Sequence, residues 1–499
     1  MFLLLNKDLL RKGFVDIDSR KELWGCYITS RPTDLKFGNN NCLNLSNSFI
    51  LFSYFDSSKQ SRNIPSIVVH STKESTEIKE KCQFPVLSHP WNISIHWDSK
   101  WQKFEKYPLF IYSAYKDNRK LDNKCIRIMA MSKGTFSKRI FCKIWFWNHE
   151  PSVVEAKVDE LWISVWDYAK PNEYFRPLLL SCPVTKRSKP IAVSLISKPC
   201  QKPNNVFWFN STKSSGKRKN FVVCLKPLNF QSDFSLKLLE WLELQFILGA
   251  NRIAVYKYHL HPKTFEVLKS YQKSKLVSII DHSLPENNSM KTDKLENLSS
   301  RDIWQKRRHE MLVYNDCFYR HIDSYKYVIN LDLDEAIIPL KHNSWIELLN
   351  YVRNKTSRTF PSASISVSNV YFFDEFGDKS NSSVPKYFHM LRHLWRSANF
   401  TPPGFAQKSF FPTQYALAVS NHYALRSLYS GMRTNTVISK NLAQMHHYRV
   451  KCPPKMKKEC EENYMKFRTR DPTLLRFKDK LFEKVPSKIK ELNLTDSIS

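Results

Sequence analysis

Glycine is scarce in this chain, with nine among 499 residues, and none stands in G-x-G-x-x-G or G-x-x-x-x-G-K-[ST] spacing. The backbone cradles that hold dinucleotides and P-loop phosphates are therefore absent, and any phosphate must be met by side chains or a metal. Paired C-x-x-C cysteines are missing too, which removes the usual zinc-finger spacing. No stretch reaches the roughly eighteen uninterrupted apolar residues of a membrane-spanning helix. The opening Met1-Phe2-Leu3-Leu4-Leu5-Asn6-Lys7-Asp8 is interrupted by charge too soon for a signal peptide. Acidic residues are in deficit, 46 against 78 Lys and Arg, for a formal charge of +32. The basic residues are scattered in short groups such as Lys217-Arg218-Lys219, Arg307-Arg308 and Lys455-Met456-Lys457-Lys458. They form no long arm and no aromatic-basic ribonucleoprotein motif, so nucleic acid is not an expected partner.

What is present is ample apolar material, 42% hydrophobic and 14% aromatic, enough for two or three packed domains. Eleven cysteines without metal spacing fit a disulfide-bonded secretory protein with one thiol left over. N-x-[ST] acceptors at Asn44, Asn92, Asn210, Asn287, Asn297, Asn354, Asn381, Asn399 and Asn493 point the same way. With secretory features but no span, the expectation is a membrane anchor lying outside this sequence.

Residues 1–18 read as an N-terminal segment without a complete anchor. Residues 19–203 carry repeated short aromatic and β-branched runs with polar breaks, which predict a β-rich, sandwich-like domain. Residues 204–220 lack period and apolar content and read as a linker. From 221 to 450 the pattern alternates: strand 221–225, helix 234–249, strand 252–256, helix 264–273, strand 276–280, helix 301–322, strand 327–333. Such alternation predicts right-handed βαβ units and a parallel sheet, with ligands at the carboxyl ends of the strands. Residues 451–499 read as a basic helical extension.

The chemistry concentrates where the last strand ends. Val328-Ile329-Asn330-Leu331-Asp332-Leu333-Asp334-Glu335-Ala336-Ile337-Ile338 is an apolar run that stops in three carboxylates. Acids at the mouth of a buried strand are costly unless a cation or hydrogen bonds compensate them. Strand alternation puts Asp332 and Asp334 on one side, where two hard oxygens suit magnesium or manganese. A solvated loop is the competing reading, disfavoured by the aliphatic residues on both sides.

Helix 301–322 carries Arg308 and Asn315 among apolar residues, candidates for diphosphate and for ribose or sugar hydroxyls, against a purely structural role. Near the end, His446-His447-Tyr448-Arg449 offers an imidazole for manganese and a guanidinium for phosphate, with a structural His pair as the alternative. His422 is ambiguous in the same way. Asp374 and Glu375 follow the aromatic run 370–373 and are candidates for the base that deprotonates an acceptor hydroxyl, or else simply form a turn.

Several segments in order resemble glycosyltransferase family 92: Val223-Cys224-Leu225-Lys226-Pro227-Leu228, Glu240-Trp241-Leu242-Glu243-Leu244, Asn315-Asp316-Cys317, Asp332-Leu333-Asp334-Glu335 and His447-Tyr448-Arg449. The likeness extends upstream to about residue 105 through Tyr112-Ser113-Ala114-Tyr115 and Ser181-Cys182-Pro183-Val184. The resemblance implies a GT-A-type (Rossmann-like) α/β domain and a manganese-assisted inverting transferase. It implies a nucleotide-sugar donor, UDP-galactose, and a glycan acceptor. By position, Asp332 and Asp334 match the metal and donor motif, His447 a metal or diphosphate position, and Lys226 the first strand's end beside the uridine pocket. The family pattern leaves the base open. Family members are usually anchored in the Golgi by an N-terminal span, so a lumenal catalytic domain is expected. The competing class is an inactive secretory carbohydrate-binding or scaffold protein.

Overall fold

The computed structural model describes residues 90, 93, 97–98 and most of 100–494, leaving aside 121–122, 148, 164–173, 186–187, 210–215, 286–302, 356–360 and 378–383. The expectations for 1–89, including the N-terminal segment, lie outside the described residues.

Between 97 and 208 the chain forms two antiparallel sheets. One is built mainly on Trp101–Phe104, Leu109–Asp117, Cys125–Lys133 and Phe175–Pro183, the other on Phe141–Phe146, His149–Glu155 and Pro190–Ile196. Their facing residues, among them Ile111, Ile126, Ile128, Ile144, Leu180 and Val193, make a shared core, as alternation in each strand predicts. Part of the expected linker is structured: Phe207–Trp208 pairs with Pro190–Ile196 as an edge strand.

The larger half is a seven-stranded mixed sheet. Its parallel part comprises β1 (Lys219–Phe230), β2 (Arg252–Leu260), β3 (Val277–Asp281) and β4 (Tyr325–Leu331), in the spatial order β3-β2-β1-β4. Helices α1 (Ser235–Leu248), α2 (Pro262–Lys273) and α3 (Ile303–His321) connect them, so the predicted βαβ alternation is realised. The sheet continues beyond β4 with an antiparallel strand, Lys408–Pro412.

Two cores clamp this sheet. Helices α1 and α2 cover one face through Leu238, Trp241, Leu242, Val267 and Leu268. Helix α3 covers the other, packed between Val222, Ala254 and Val328 of the sheet and Trp101, Phe110, Met129 and Leu179 of the upstream β layer. The two halves therefore share a core. The Cys224–Cys317 disulfide ties β1 to α3 across 93 residues, and Cys142–Cys182 and Cys452–Cys460 are also bridged. Among the described residues Cys125 is a free thiol.

Two expectations need correction. The strand expected over 327–333 ends at Leu331, because the next residues bond to one another: the Glu335 N–H donates to the Asp332 carbonyl (3.1 Å), and the Asp332 N–H to the Glu335 side-chain carboxylate (2.8 Å). The acids thus sit on a tight turn leading into β5 (Glu335–Pro339). The C-terminal segment is part of the fold as well. Helix α4 (Lys478–Glu491) buries Leu481, Val485 and Ile489 at four-residue spacing in the core shared with α1. Among the described residues no helix is long and apolar enough to cross a membrane. Asn354, Asn399 and Asn493, the acceptor asparagines that fall on described residues, are all exposed.

Candidate functional site

β1 and β4 run in register up to Leu225 and Leu331, which sets the next residues, Lys226 and Asp332, side by side at the carboxyl end of the sheet. Lys226 Nζ lies 3.1 Å from Asp332 Oδ2. From the other side Lys408, wholly enclosed, places its ammonium 2.8 Å from Glu335 and 3.6 Å from Asp332. Lys408 carries no signal in sequence reasoning, since it stands far along the chain from the acids it neutralises.

β5 pairs antiparallel with β7 (Ala443–Arg449), and that register puts His447 opposite Glu335. Strand β6 (Asn369–Phe373) runs parallel to β7, bringing the Tyr371 ring to 5.2 Å from His447. His447 Nε2 is 3.3 Å from Asp334 Oδ2 and its Nδ1 3.7 Å from Glu335 Oε1. The ligand-capable atoms of Asp334, Glu335 and His447 all fall within 4.8 Å of one another. One further carboxylate oxygen, Asp332 Oδ1, is buried without a hydrogen-bond partner.

Electrostatics follow from this packing. Burial would raise the Asp332 carboxyl, but Lys226 and Lys408 overcome it and hold the group well below the usual carboxylate range. Burial is likewise outweighed for Asp334, which His447 lowers. Glu335 goes the other way, raised by burial and by the neighbouring Asp332 despite Lys408. Three carboxylates facing two lysines leave a negative centre that a divalent cation would turn positive. The oxygen-rich set with one imidazole and an orphaned buried oxygen fits manganese or a similar ion.

Asp334 opens onto a cavity of about 550 Å³ lined by Lys226, Lys306, His309, Phe230, Tyr258 and Arg449, with His389 and Met390 on its far wall. That size is typical of small-ligand sites. The far wall is fixed by Glu240, whose buried carboxylate accepts the N–H groups of His389, Met390 and Leu391 at 2.6, 2.9 and 2.9 Å. A second basic cavity, lined by Lys217, Arg218, Lys219, Lys326 and Arg353, sits at the opposite, amino end of β1 and β4 and has no carboxylate or imidazole in its lining.

Of the residues singled out from sequence, Lys226, Asp332, Asp334, His447 and Arg449 come together here. Others do not. Arg308 lies between the Trp162 and Tyr174 rings, 4.5 and 4.4 Å from their centroids, facing the upstream β layer. Asn315 is fully enclosed, donating to the Met311 and Val419 carbonyls and accepting from the Val419 N–H, which keeps it from reaching a sugar. Asp374 bonds His393 at 2.8 Å, and Glu375 is an exposed residue of the following turn. Neither lines the cavity, so the base assignment is not carried forward. His446, alternating away from His447, is enclosed between Gln444 and Tyr448, and burial pushes its imidazole down to about 4. His422 Nδ1 donates to the Gln407 carbonyl oxygen at 2.8 Å, and desolvation lowers its imidazole to about 3. Both are structural.

A family model described as "Glycosyltransferase family 92" matches residues 219–481, just over half of the chain. The match begins with β1 and ends inside α4, and so covers every residue of the acidic turn and its cavity. No curated protein matches the chain.

Proposed function

The chain belongs to glycosyltransferase family 92, and from that premise we propose that it moves galactose from UDP-galactose onto a glycan acceptor with inversion, aided by manganese. In this reading the domain is of GT-A type and works in the Golgi lumen. The observation that supports it above the others is the pairing of an orphaned buried oxygen on Asp332 with Asp334, Glu335 and His447 at the rim of a basic cavity.

Asp334, Glu335 and His447 would hold the cation, with the unpartnered Asp332 Oδ1 available two residues before Asp334 on the same turn. When bound, such an ion supplies neutralisation of the diphosphate and stabilises charge on the departing nucleotide. Lys226, Lys306 and Arg449 line the space where those phosphates would lie and add fixed positive charge. Phe230, stacked on Phe234 at 4.4 Å, and Tyr258 give the same cavity an apolar wall suited to a base or sugar face. The Glu240 clamp keeps His389 and Met390 in place opposite, so the cavity is preformed and its groups need little reordering.

The test is release of UDP from UDP-galactose and transfer to a panel of glycans, with manganese or with chelator. Manganese-dependent turnover, at least a hundredfold lower in Asp334→Asn, is the expected result. Turnover that survives chelation, or an Asp334→Asn protein as active as the parent, overturns the assignment.

A further inference from the structure

At the end of β6 a second cluster of ligand-capable side chains stands apart from the acidic turn. The carboxylate of Asp374 and one ring nitrogen each of His389 and His393 lie within 4.8 Å of one another. All three are partly buried; the His393 side chain is 9% exposed and that of Asp374 23%.

The hydrogen bonds of His393 define what this cluster can bind. Its Nδ1 is 2.6 Å from the His389 carbonyl oxygen. A carbonyl only accepts, so Nδ1 carries the hydrogen. A neutral ring with that tautomer presents a lone pair at Nε2, yet Nε2 faces an Asp374 oxygen at 2.8 Å. Two lone pairs at that distance repel unless a proton or a metal cation lies between them. A proton satisfies the pair alone. A metal satisfies the pair too, and one ring nitrogen of His389 stands within 4.8 Å of both atoms, near enough to join the same ion. A backbone carbonyl bonded to the far nitrogen is also the usual outer-sphere partner of a metal-bound histidine, fixing tautomer and ring orientation.

We propose that Asp374, His389 and His393 form a second metal site, for a zinc-class transition ion, independent of the acidic turn. Nitrogen-rich ligands with one carboxylate favour such an ion over magnesium or calcium. At bond lengths near 2.0–2.1 Å, tetrahedral ligand atoms stand about 3.3 Å apart. Closing the cluster onto an ion therefore requires Asp374 and His393 to part by about half an ångström and His389 to approach by about 1.5 Å at most. The backbone is held for this. Glu240 accepts the N–H groups of 389, 390 and 391, and the His393 ring packs 5.5 Å from that of Tyr448 on β7. Three protein ligands leave a fourth position for water or a hydroxyl oxygen. His389 also belongs to the wall of the cavity, so the cluster adjoins it.

The experiment is titration of the chelator-stripped full chain with Co²⁺, read by visible d–d absorption, followed by displacement with Zn²⁺. The expected result is a saturable, intense Co²⁺ band of tetrahedral type, separate from any weaker absorption of the acidic turn, that persists in His447→Ala and Asp334→Asn and disappears in His389→Ala and His393→Ala. Asp374→Asn, the milder change, weakens affinity by more than the roughly 10–100-fold that loss of an outer-sphere partner costs. Melting temperature in chelator verifies that each variant is folded. A signal unchanged in folded His389→Ala or His393→Ala overturns the proposal, as does a signal lost in His447→Ala, or no Co²⁺ binding by the parent chain. None of these outcomes depends on whether UDP-galactose is a donor.

Discussion

Replacing Lys408 by methionine tests the charge balance of the acidic turn directly. Its ammonium is fully enclosed, 2.8 Å from Glu335 and 3.6 Å from Asp332. Removing one member of a buried ion pair costs about 3–5 kcal/mol, because an uncompensated charge stays behind. Lys226 still holds Asp332 at 3.1 Å, which places the loss near the lower end, about 3 kcal/mol. The two halves share a core and form a unit larger than about 250 residues, for which each kcal/mol moves the melting temperature by about 1–2 °C, so a fall of about 3–6 °C is expected by thermal scanning in chelator. Glu335 is already raised by burial and Asp332, and loss of Lys408 raises it further. A carboxyl with a folded pKa above its unfolded one binds its proton more tightly when folded. The deficit of Lys408→Met should therefore widen as pH rises past the ordinary carboxylate range. Manganese should raise the melting temperature of the variant more than that of the parent, since it restores the deleted positive charge. Equal melting in chelator, or equal manganese shifts in both proteins, would refute the reasoning.

Two further predictions separate structural from functional roles. Asn315→Ala leaves the N–H and carbonyl of Val419 without their side-chain partner and should cost about 2–4 kcal/mol while the KM for the donor stays unchanged. A raised KM without loss of stability would return Asn315 to the donor site. Asp117 sits 2.7 Å from Arg119 and 2.9 Å from Arg127; burial works against its charge, but the two guanidiniums hold it down to about 2 from 3.8. Its contribution, about 2 kcal/mol, is present above the unfolded pKa and lost as pH falls toward the folded one. Asp117→Asn should thus destabilise at pH 7 and converge with the parent near pH 2 in denaturant titrations. A gap that does not change with pH would count against the ion-pair account.

How far this site could be read from sequence depended on whether a residue's role was local. The acids of 332–335 announced themselves because an apolar run ending in carboxylates is costly wherever it occurs, and the strand–helix alternation of 221–333 showed because its period is written into neighbouring residues. What compensates those acids had no such mark. Lys408 reaches them from a strand added later in the chain, and the Glu240 carboxylate that shapes the cavity wall meets backbone groups up to 151 residues away. Neither partnership leaves a trace in spacing.

The mistaken placements share a physical cause. Helix α3 is buried along both sides, against the parallel sheet and against the upstream β layer, so its polar residues cannot be sorted by a hydrophobic face. Arg308 and Asn315 looked ligand-facing because nothing local reveals the Trp162 and Tyr174 rings or the Val419 backbone that claim them. Arg307 and Lys306, one and two positions earlier, are the basic residues the helix turns toward the open side, Lys306 into the cavity itself. At about 100° per residue, a shift of two positions carries a side chain to the opposite face of the helix. On a helix enclosed from both sides, the neighbour in sequence of a ligand-facing cation is therefore the residue most easily mistaken for it, and only the third dimension separates the two.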